Sequence, residues 1–217
     1  MENPTKTNNE TALQVAKLLL QVRAVKLKPE KPFTWASGWI SPIYCDNRLT
    51  LSYPQIRTYI RQEFVKMINN EFGDIDLIAG VATGGIAQGA LIAQEMGLPF
   101  AYVRSSQKEH GMTNQVEGVV EAGQRVVVIE DLISTGGSSL KAVEALRSLN
   151  CDVKGLVAIF SYDFELAKKN FKKAACPMLT LSDYNALIEQ ALADEFIKES
   201  DLEPLKQWRI DPSNWGK

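Results

Sequence analysis

The chain has 217 residues, 45% of them hydrophobic and 23% charged, with 24 Lys and Arg against 26 Asp and Glu. That length suits one substantial α/β domain with a small appendage and is too short for two full enzymes. A net charge of −2 argues against a general nucleic-acid or membrane binder, which would carry a basic face, but allows a local basic site for a small polyanion.

Cys45, Cys151 and Cys176 are odd in number, far apart and not in C-x-x-C spacing. They indicate neither a disulfide framework nor a zinc site, and read as free thiols in a reducing cytosol. The polar start, MENPTKTNNE, lacks the apolar core of a secretory signal, and no apolar run is long enough to span a bilayer. A soluble cytoplasmic protein is expected.

In chain order, the first ten residues are expected to fray. Residues 11–27 read as an amphipathic helix with Leu13, Ala16, Leu20 and Ala24 near one face. Residues 28–31, with two prolines close by, break it. Residues 33–51 (FTWASGWISPIYCDNRLTL) are rich in aromatic and turn residues and read as short strands or a loop. Ser52-Tyr53-Pro54 starts a second helix to about residue 70, its inner face formed by Ile56, Ile60, Phe64 and Met67.

From there the rhythm changes. Strands at 75–81, 99–103, 126–129, 153–160 and 178–181 are separated by helices at 85–96, 137–149 and 164–173. Apolar strands with little alternation, interleaved with helices, indicate a mostly parallel sheet covered on both faces. Ser182 is expected to cap a helix through residue 193, and residues 201–208 to form another. The fold class is α/β: a core of roughly residues 71–181, and a small hood built from residues 11–70 and 182–217.

Residues 126–140 (VVVIEDLISTGGSSL) carry the most specific chemistry. Four β-branched residues in succession suit a buried central strand, and in open α/β sheets ligands bind at the carboxyl ends of strands. Glu130 and Asp131 follow at once, where the strand is expected to meet solvent. The turn Ser134-Thr135-Gly136-Gly137-Ser138-Ser139 then leads into a helix. Glycines let the backbone approach a phosphate, and hydroxyls and free N–H groups at a helix N-terminus bind its oxygens. The carboxylates suit sugar hydroxyls instead. A Walker A loop needs G-K-[ST] and a dinucleotide fingerprint G-x-G-x-x-G; the chain has neither.

The run IEDLISTGG resembles the phosphoribosyl-diphosphate signature of type I phosphoribosyltransferases. FTWASGWISPIYCDNRLTLSYP, YVRSSQKEHGMTNQVEG and LSDYNALIEQAL with LKQWR look like the matching stretches of the orotate phosphoribosyltransferase family, from about residue 30 onward. The resemblance implies a type I core with a hood, and formation of orotidine 5'-monophosphate and diphosphate from orotate and phosphoribosyl diphosphate, with Mg2+ held mainly by the substrate rather than by protein ligands. It implies that Glu130, Asp131, Leu132, Ile133, Ser134, Thr135, Gly136, Gly137 and Ser138 bind phosphoribosyl diphosphate. Glu130 and Asp131 would hold ribose hydroxyls, Thr135 to Ser138 the 5'-phosphate, and Ser134 would also touch orotate.

Residues 104–118 have few apolar anchors, two glycines and the cations Arg104 and Lys108 with the chain's one histidine, His110; the stretch reads as mobile. By resemblance, Lys108 and His110 are catalytic, closing on the diphosphate of the neighbouring subunit in a homodimer, while Arg104 binds it from the base of the loop. Residues 79–86 (AGVATGGI) match the family's diphosphate loop, here Ala82, Thr83 and Gly84, with a non-proline cis peptide expected near Ala82-Thr83.

Three positions depart from relatives. Gly84 and Ala36 stand where some carry lysine, and Phe164 where the enteric-type enzymes carry an arginine that meets the orotate carboxylate. Arg48, Lys26 and Lys28 are the nearest basic candidates for that carboxylate. Tyr44 and Cys45 occupy positions that flank the base, and Trp35 and Trp39 read as hood core. Two alternatives stay open: a phosphoribosyltransferase for a purine or uracil, and a non-catalytic phosphoribosyl-diphosphate sensor. The second should carry a basic DNA-binding module, for which this acidic chain has no obvious room.

Overall fold

A computed structural model describes residues 9–104 and 115–216. Helix α1 (Asn9–Gln21) buries Ala12, Val15, Ala16, Leu19 and Leu20; Ala16 and Leu20 of the expected face are among them, while Leu13 is only partly buried. It ends at Gln21, and Arg23 takes a left-handed φ of 57°. The next residues form strand β1 (Val25–Leu27) where the periodicity had suggested more helix. The reason is tertiary: a partner strand a few residues downstream offers β1 an antiparallel ladder, and packing overrides a weak local preference.

Strands β2 (Phe33–Thr34) and β3 (Ile40–Ser41) pair antiparallel across the Trp35–Trp39 turn. Strand β4 (Ile43–Cys45) supplies the ladder for β1, with Lys26 opposite Tyr44. A 3-10 turn, Asn47–Ser52, leads to α2 (Pro54–Phe72), whose first position is proline, as suits a helix start. Its buried residues are Ile60, Phe64 and Ile68; Met67 lies at the edge of that face and is only partly buried.

The remaining elements are β5 (Leu77–Val81), α3 (Gly84–Met96), β6 (Phe100–Val103), β7 (Val116–Glu117) and β8 (Arg125–Ile133). After them come α4 (Gly137–Ser148), β9 (Asp152–Ser161), α5 (Glu165–Lys173), β10 (Met178–Asp183), α6 (Tyr184–Ala193) and α7 (Leu202–Ile210). One six-stranded sheet runs β10-β9-β8-β5-β6-β7. It is parallel throughout except for β7, which lies antiparallel on β6 and is too short to announce itself in the sequence.

Alternate residues of the buried strands feed two cores. Ile78, Val127, Ile129, Val157 and Ile159 pack with α2 and α3 on one face. Leu77, Ala79, Val126, Val128, Leu156 and Ala158 pack with α4 and α5 on the other. The expected parallel sheet covered on both sides is what forms. Trp208 of α7 is fully buried and ties α7 to the Trp35 turn and to the end of the sheet: its ring lies 5.4–5.6 Å from those of Trp35, Phe164, Tyr162 and Tyr184. Among the described residues no helix is long and apolar enough to cross a membrane.

Two boundaries move with consequences. Strand β10 runs on to Asp183, so Ser182 is a buried strand residue that donates to the Ala12 carbonyl at 2.8 Å. Asp183, not Ser182, caps α6, accepting from the N–H groups of Asn185 and Ala186 at 2.8 and 3.0 Å. Strand β8 continues four residues past Ile129, because β9 stays alongside it with Glu130 opposite Ala158, Leu132 opposite Phe160 and Ile133 opposite Ser161. The acid pair therefore belongs to the strand itself.

Candidate active site

The carboxyl ends of β5, β6 and β8 and the N-terminus of α4 converge on one side of the sheet's upper edge. Gly136 enters α4 with φ 80°, and an added Cβ there would press into the Phe171 ring at 2.6 Å; only glycine fits this turn. Gly137 and Ser138 are exposed at the first turn of α4, where backbone N–H groups have no partner one turn back. Asn170 of α5 donates to the Thr135 carbonyl at 2.9 Å and holds the turn from behind. An anion at this turn would meet N–H groups, hydroxyls and the positive end of the helix dipole together.

Glu130 was expected at solvent but is 5% exposed. Its carboxylate accepts from the Ser139 hydroxyl at 2.9 Å and from the Asp131 N–H at 3.0 Å. Ser139, though part of the hydroxyl-rich turn, thus faces inward to the acid rather than outward to a ligand. Burial raises the Glu130 carboxyl above the ordinary carboxylate range, and the neighbouring Asp131 charge adds to this. Burial raises Asp131 as well, against the pull of the Arg48 charge. The two acids together hold a proton more tightly than solvated carboxylates do.

The Asp131 carboxylate lies directly over Gly84, at the start of α3; any Cβ on Gly84 would fall inside it. Leu132 packs on the core of the α2 and α3 face, and Ile133 is fully buried on the α4 face. Their side chains are structural, and they carry the strand on to Ser134, which is half-buried. The Ala82-Thr83 peptide is cis, as the resemblance implied.

A cavity of about 260 Å3 opens between these elements, lined by Val81, Ala82, Val103, Arg104, Gly137, Ser138, Lys141 and Ala142. It joins the end of β5 at Ala82, Arg104 and the α4 turn in one space. Lys141 is a lining cation that no sequence motif singled out; its position two residues past the hydroxyl run was the only signal. Arg104 leans on Glu117 of β7 at 3.4 Å. Lys108 and His110 lie outside the described residues. A larger open groove of about 930 Å3 between α1, α2 and β10 lies away from the strand ends.

Strand β4 leads into the 3-10 turn, whose Asn47 reaches the Asp131 carbonyl at 2.6 Å. Lys26 and Tyr44 are exposed opposite one another, and Lys28 sits 5.6 Å above the Phe33 ring. Arg48 is ion-paired with Asp46 at 2.7 Å. Phe164 is buried in the aromatic cluster at 4% exposure, stacked on Tyr162 at 5.5 Å. That position is part of the aromatic core here. Ala36 is exposed on the Trp35–Trp39 turn. Trp35 donates to the Ile43 carbonyl at 3.0 Å and stacks on Trp39, a structural role for both.

The chain's similarity to known proteins matches this geometry. Residues 53–186 match the family model for the phosphoribosyl transferase domain. Over 93% of its length the chain is 56% identical to an orotate phosphoribosyltransferase of Porphyromonas gingivalis, 96% of which is covered. Among solved structures, orotate phosphoribosyltransferase from Aeropyrum pernix superposes with a TM-score of 0.73 at 28% identity, covering 81% of this chain and 97% of that one. Leishmania donovani UMP synthase matches at TM-score 0.76 and 26% identity over 91% of this chain, but this chain spans only 42% of that longer one. An acid pair and a glycine-rich turn at one strand–helix junction, a cis Ala82-Thr83 peptide and these matches lead to one conclusion: the chain belongs to the phosphoribosyl transferase domain family and, within it, to the orotate phosphoribosyltransferases.

Proposed function

We propose that this protein transfers the 5-phosphoribosyl group from phosphoribosyl diphosphate to orotate, giving orotidine 5'-monophosphate and diphosphate in de novo pyrimidine biosynthesis. The observation that carries the reading is the junction of β8 and α4. There the buried Glu130, the half-buried Asp131 and an exposed helix N-terminus come together, against a loop whose Gly84 lies under the Asp131 carboxylate.

Displacement at ribose C1 develops oxocarbenium character on the sugar and negative charge on the leaving diphosphate. A ring nitrogen of the base attacks, so no protein nucleophile is needed. Catalysis then rests on positioning and on electrostatic stabilisation of the leaving group. In this reading Thr135, Gly136, Gly137 and Ser138 hold the 5'-phosphate, and Glu130 and Asp131 accept from ribose hydroxyls. Ala82, Thr83 and Gly84 present backbone to the diphosphate, with Arg104 beside them. Ser134 touches the base. The exposed first turn of α4 and the cavity that joins it to Ala82 and Arg104 support these roles.

Mg2+ would be held mainly by the substrate's oxygens, with Glu130 and Asp131 offering hard oxygens beside it, fewer than a protein-only cage needs. When bound with the substrate it would neutralise charge on the departing diphosphate. The protein is a homodimer in this reading, with Lys108 and His110 acting across subunits, a role supported by family resemblance. Three free cysteines fit a reducing cytoplasm.

Of the basic candidates for the orotate carboxylate, Lys26 is the one that the fold favours. It is exposed beside Tyr44, whereas Arg48 is turned to Asp46. The test is diphosphate release with phosphoribosyl diphosphate and Mg2+, comparing orotate, uracil, hypoxanthine and guanine. Turnover with orotate alone is expected. Turnover only with a purine or uracil would replace the base, and none with any base would favour a sensor.

A further inference from the structure

Strand β8 outruns one of its neighbours. Its register with β5 ends where Gly80 faces Ile129, because β5 then turns into the diphosphate loop and α3. On the other edge β9 continues to pair with Glu130, Leu132 and Ile133. Asp131 falls between these, and both of its main-chain groups are held by side chains. Its N–H donates to the Glu130 carboxylate at 3.0 Å, and its carbonyl accepts from the Asn47 amide at 2.6 Å.

Asn47 arrives from 84 residues earlier in the chain, at the start of the 3-10 turn after β4, and is 1% exposed. Its amide oxygen accepts from the Cys45 thiol at 3.2 Å. Burial, with Asp131 and Asp46 nearby, pushes that thiol up, so it stays protonated and able to donate. The amide is thereby fixed with its NH2 toward the Asp131 carbonyl. Opposite, the Asp131 carboxylate rests on Gly84. Asp131 is thus gripped from the hood by its backbone and bounded below by α3.

We propose that Asn47 is a positioning residue for the transfer reaction: by holding the Asp131 carbonyl where β5 no longer can, it fixes the aim of the Asp131 carboxylate at the ribose. This rests on the reading that Asp131 receives ribose hydroxyls. An ångström of misplacement at a reacting centre lowers rate by about 100-fold, so a lost grip should appear in the kinetics of one substrate specifically.

The experiment compares Asn47→Ala, Asn47→Asp and Asn47→Ser with Asp131→Asn, reading steady-state kinetics for each substrate and the thermal midpoint. Asn47→Asp keeps the shape and replaces the donor by an acceptor; Asn47→Ser keeps a short donor in case alanine does not fold. The expected result is a fall in kcat/KM for phosphoribosyl diphosphate of roughly 10- to 100-fold in Asn47→Ala and Asn47→Asp, with KM for orotate within about twofold. Unchanged kinetics, or equal losses for both substrates that track a lower thermal midpoint, would overturn it. So would failure of all three Asn47 variants to fold, which would make the tie purely structural. If Asp131→Asn itself leaves phosphoribosyl diphosphate kinetics intact, the reading of the acid pair falls, and the proposal with it. If only the Asn47 variants are silent, the proposal falls alone.

Discussion

Replacing Gly84 by alanine adds one methyl group at the point where α3 meets the acid pair. The added carbon would fall inside the Asp131 carboxylate. Those atoms end a short side chain that can swing away, so the stability loss should sit at the low end for overpacking, about 1 kcal/mol. For a chain of this size that lowers Tm by roughly 2–4 °C. The swing is the larger effect, because it takes Asp131 off its aim. We expect kcat/KM for phosphoribosyl diphosphate to fall by about 100-fold. Gly85→Ala provides the contrast, since its Cβ would meet the Ile129 backbone carbonyl, which cannot rotate away; there we expect about 3 kcal/mol and a Tm lower by roughly 6–12 °C. Gly137→Ala, in open space without a positive φ, should leave Tm unchanged or slightly raised. Gly84→Lys should lose activity like Gly84→Ala, because the clash precedes any gain from the charge. Thermal unfolding and steady-state kinetics on the four variants decide the matter. A Gly84→Ala enzyme with parental kinetics would refute the reasoning.

Other outcomes are equally specific. Glu130 has a raised carboxyl, so above about pH 4.3 this group keeps its proton in the folded protein and loses it in the unfolded chain, and its contribution to stability falls as pH rises from there. Glu130→Gln removes that dependence, and its Tm advantage over the parent should grow between about pH 4.5 and pH 8; a constant difference would contradict the shift. Trp208→Ala empties the centre of the aromatic cluster and should cost about 3–5 kcal/mol, seen as a much lower urea midpoint; a midpoint near the parent's would show that α7 is not anchored there. Lys108→Ala should depress kcat strongly with a modest change in ground-state binding, since its charge meets the leaving group late. Mixing Lys108→Ala with Asp131→Asn protein should recover activity if the loop acts across subunits, and no recovery in mixed dimers would place it within one subunit.

The sequence alone determined the α/β class, the parallel core and the phosphate turn, because each rests on local chemistry. Val126 to Ile129 announce a buried strand, and Gly136 and Gly137 with their hydroxyl neighbours announce an anion site at a helix start. Resemblance over most of the chain from about residue 30 onward named the family and anticipated the Ala82-Thr83 cis peptide. What only the tertiary structure decided depended on neighbours distant in the chain. Val25 to Leu27 left the helix because β4 offered them a ladder. Phe164 became core because Trp208 and Tyr162 surround it. Above all, the acid pair is not a strand end at solvent: β9 carries β8 past it, Ser139 holds Glu130, and Asn47 and Gly84 bracket Asp131. Spacing along the chain could not show this, because hydrogen-bond partners of a parallel strand come from elsewhere in the sequence.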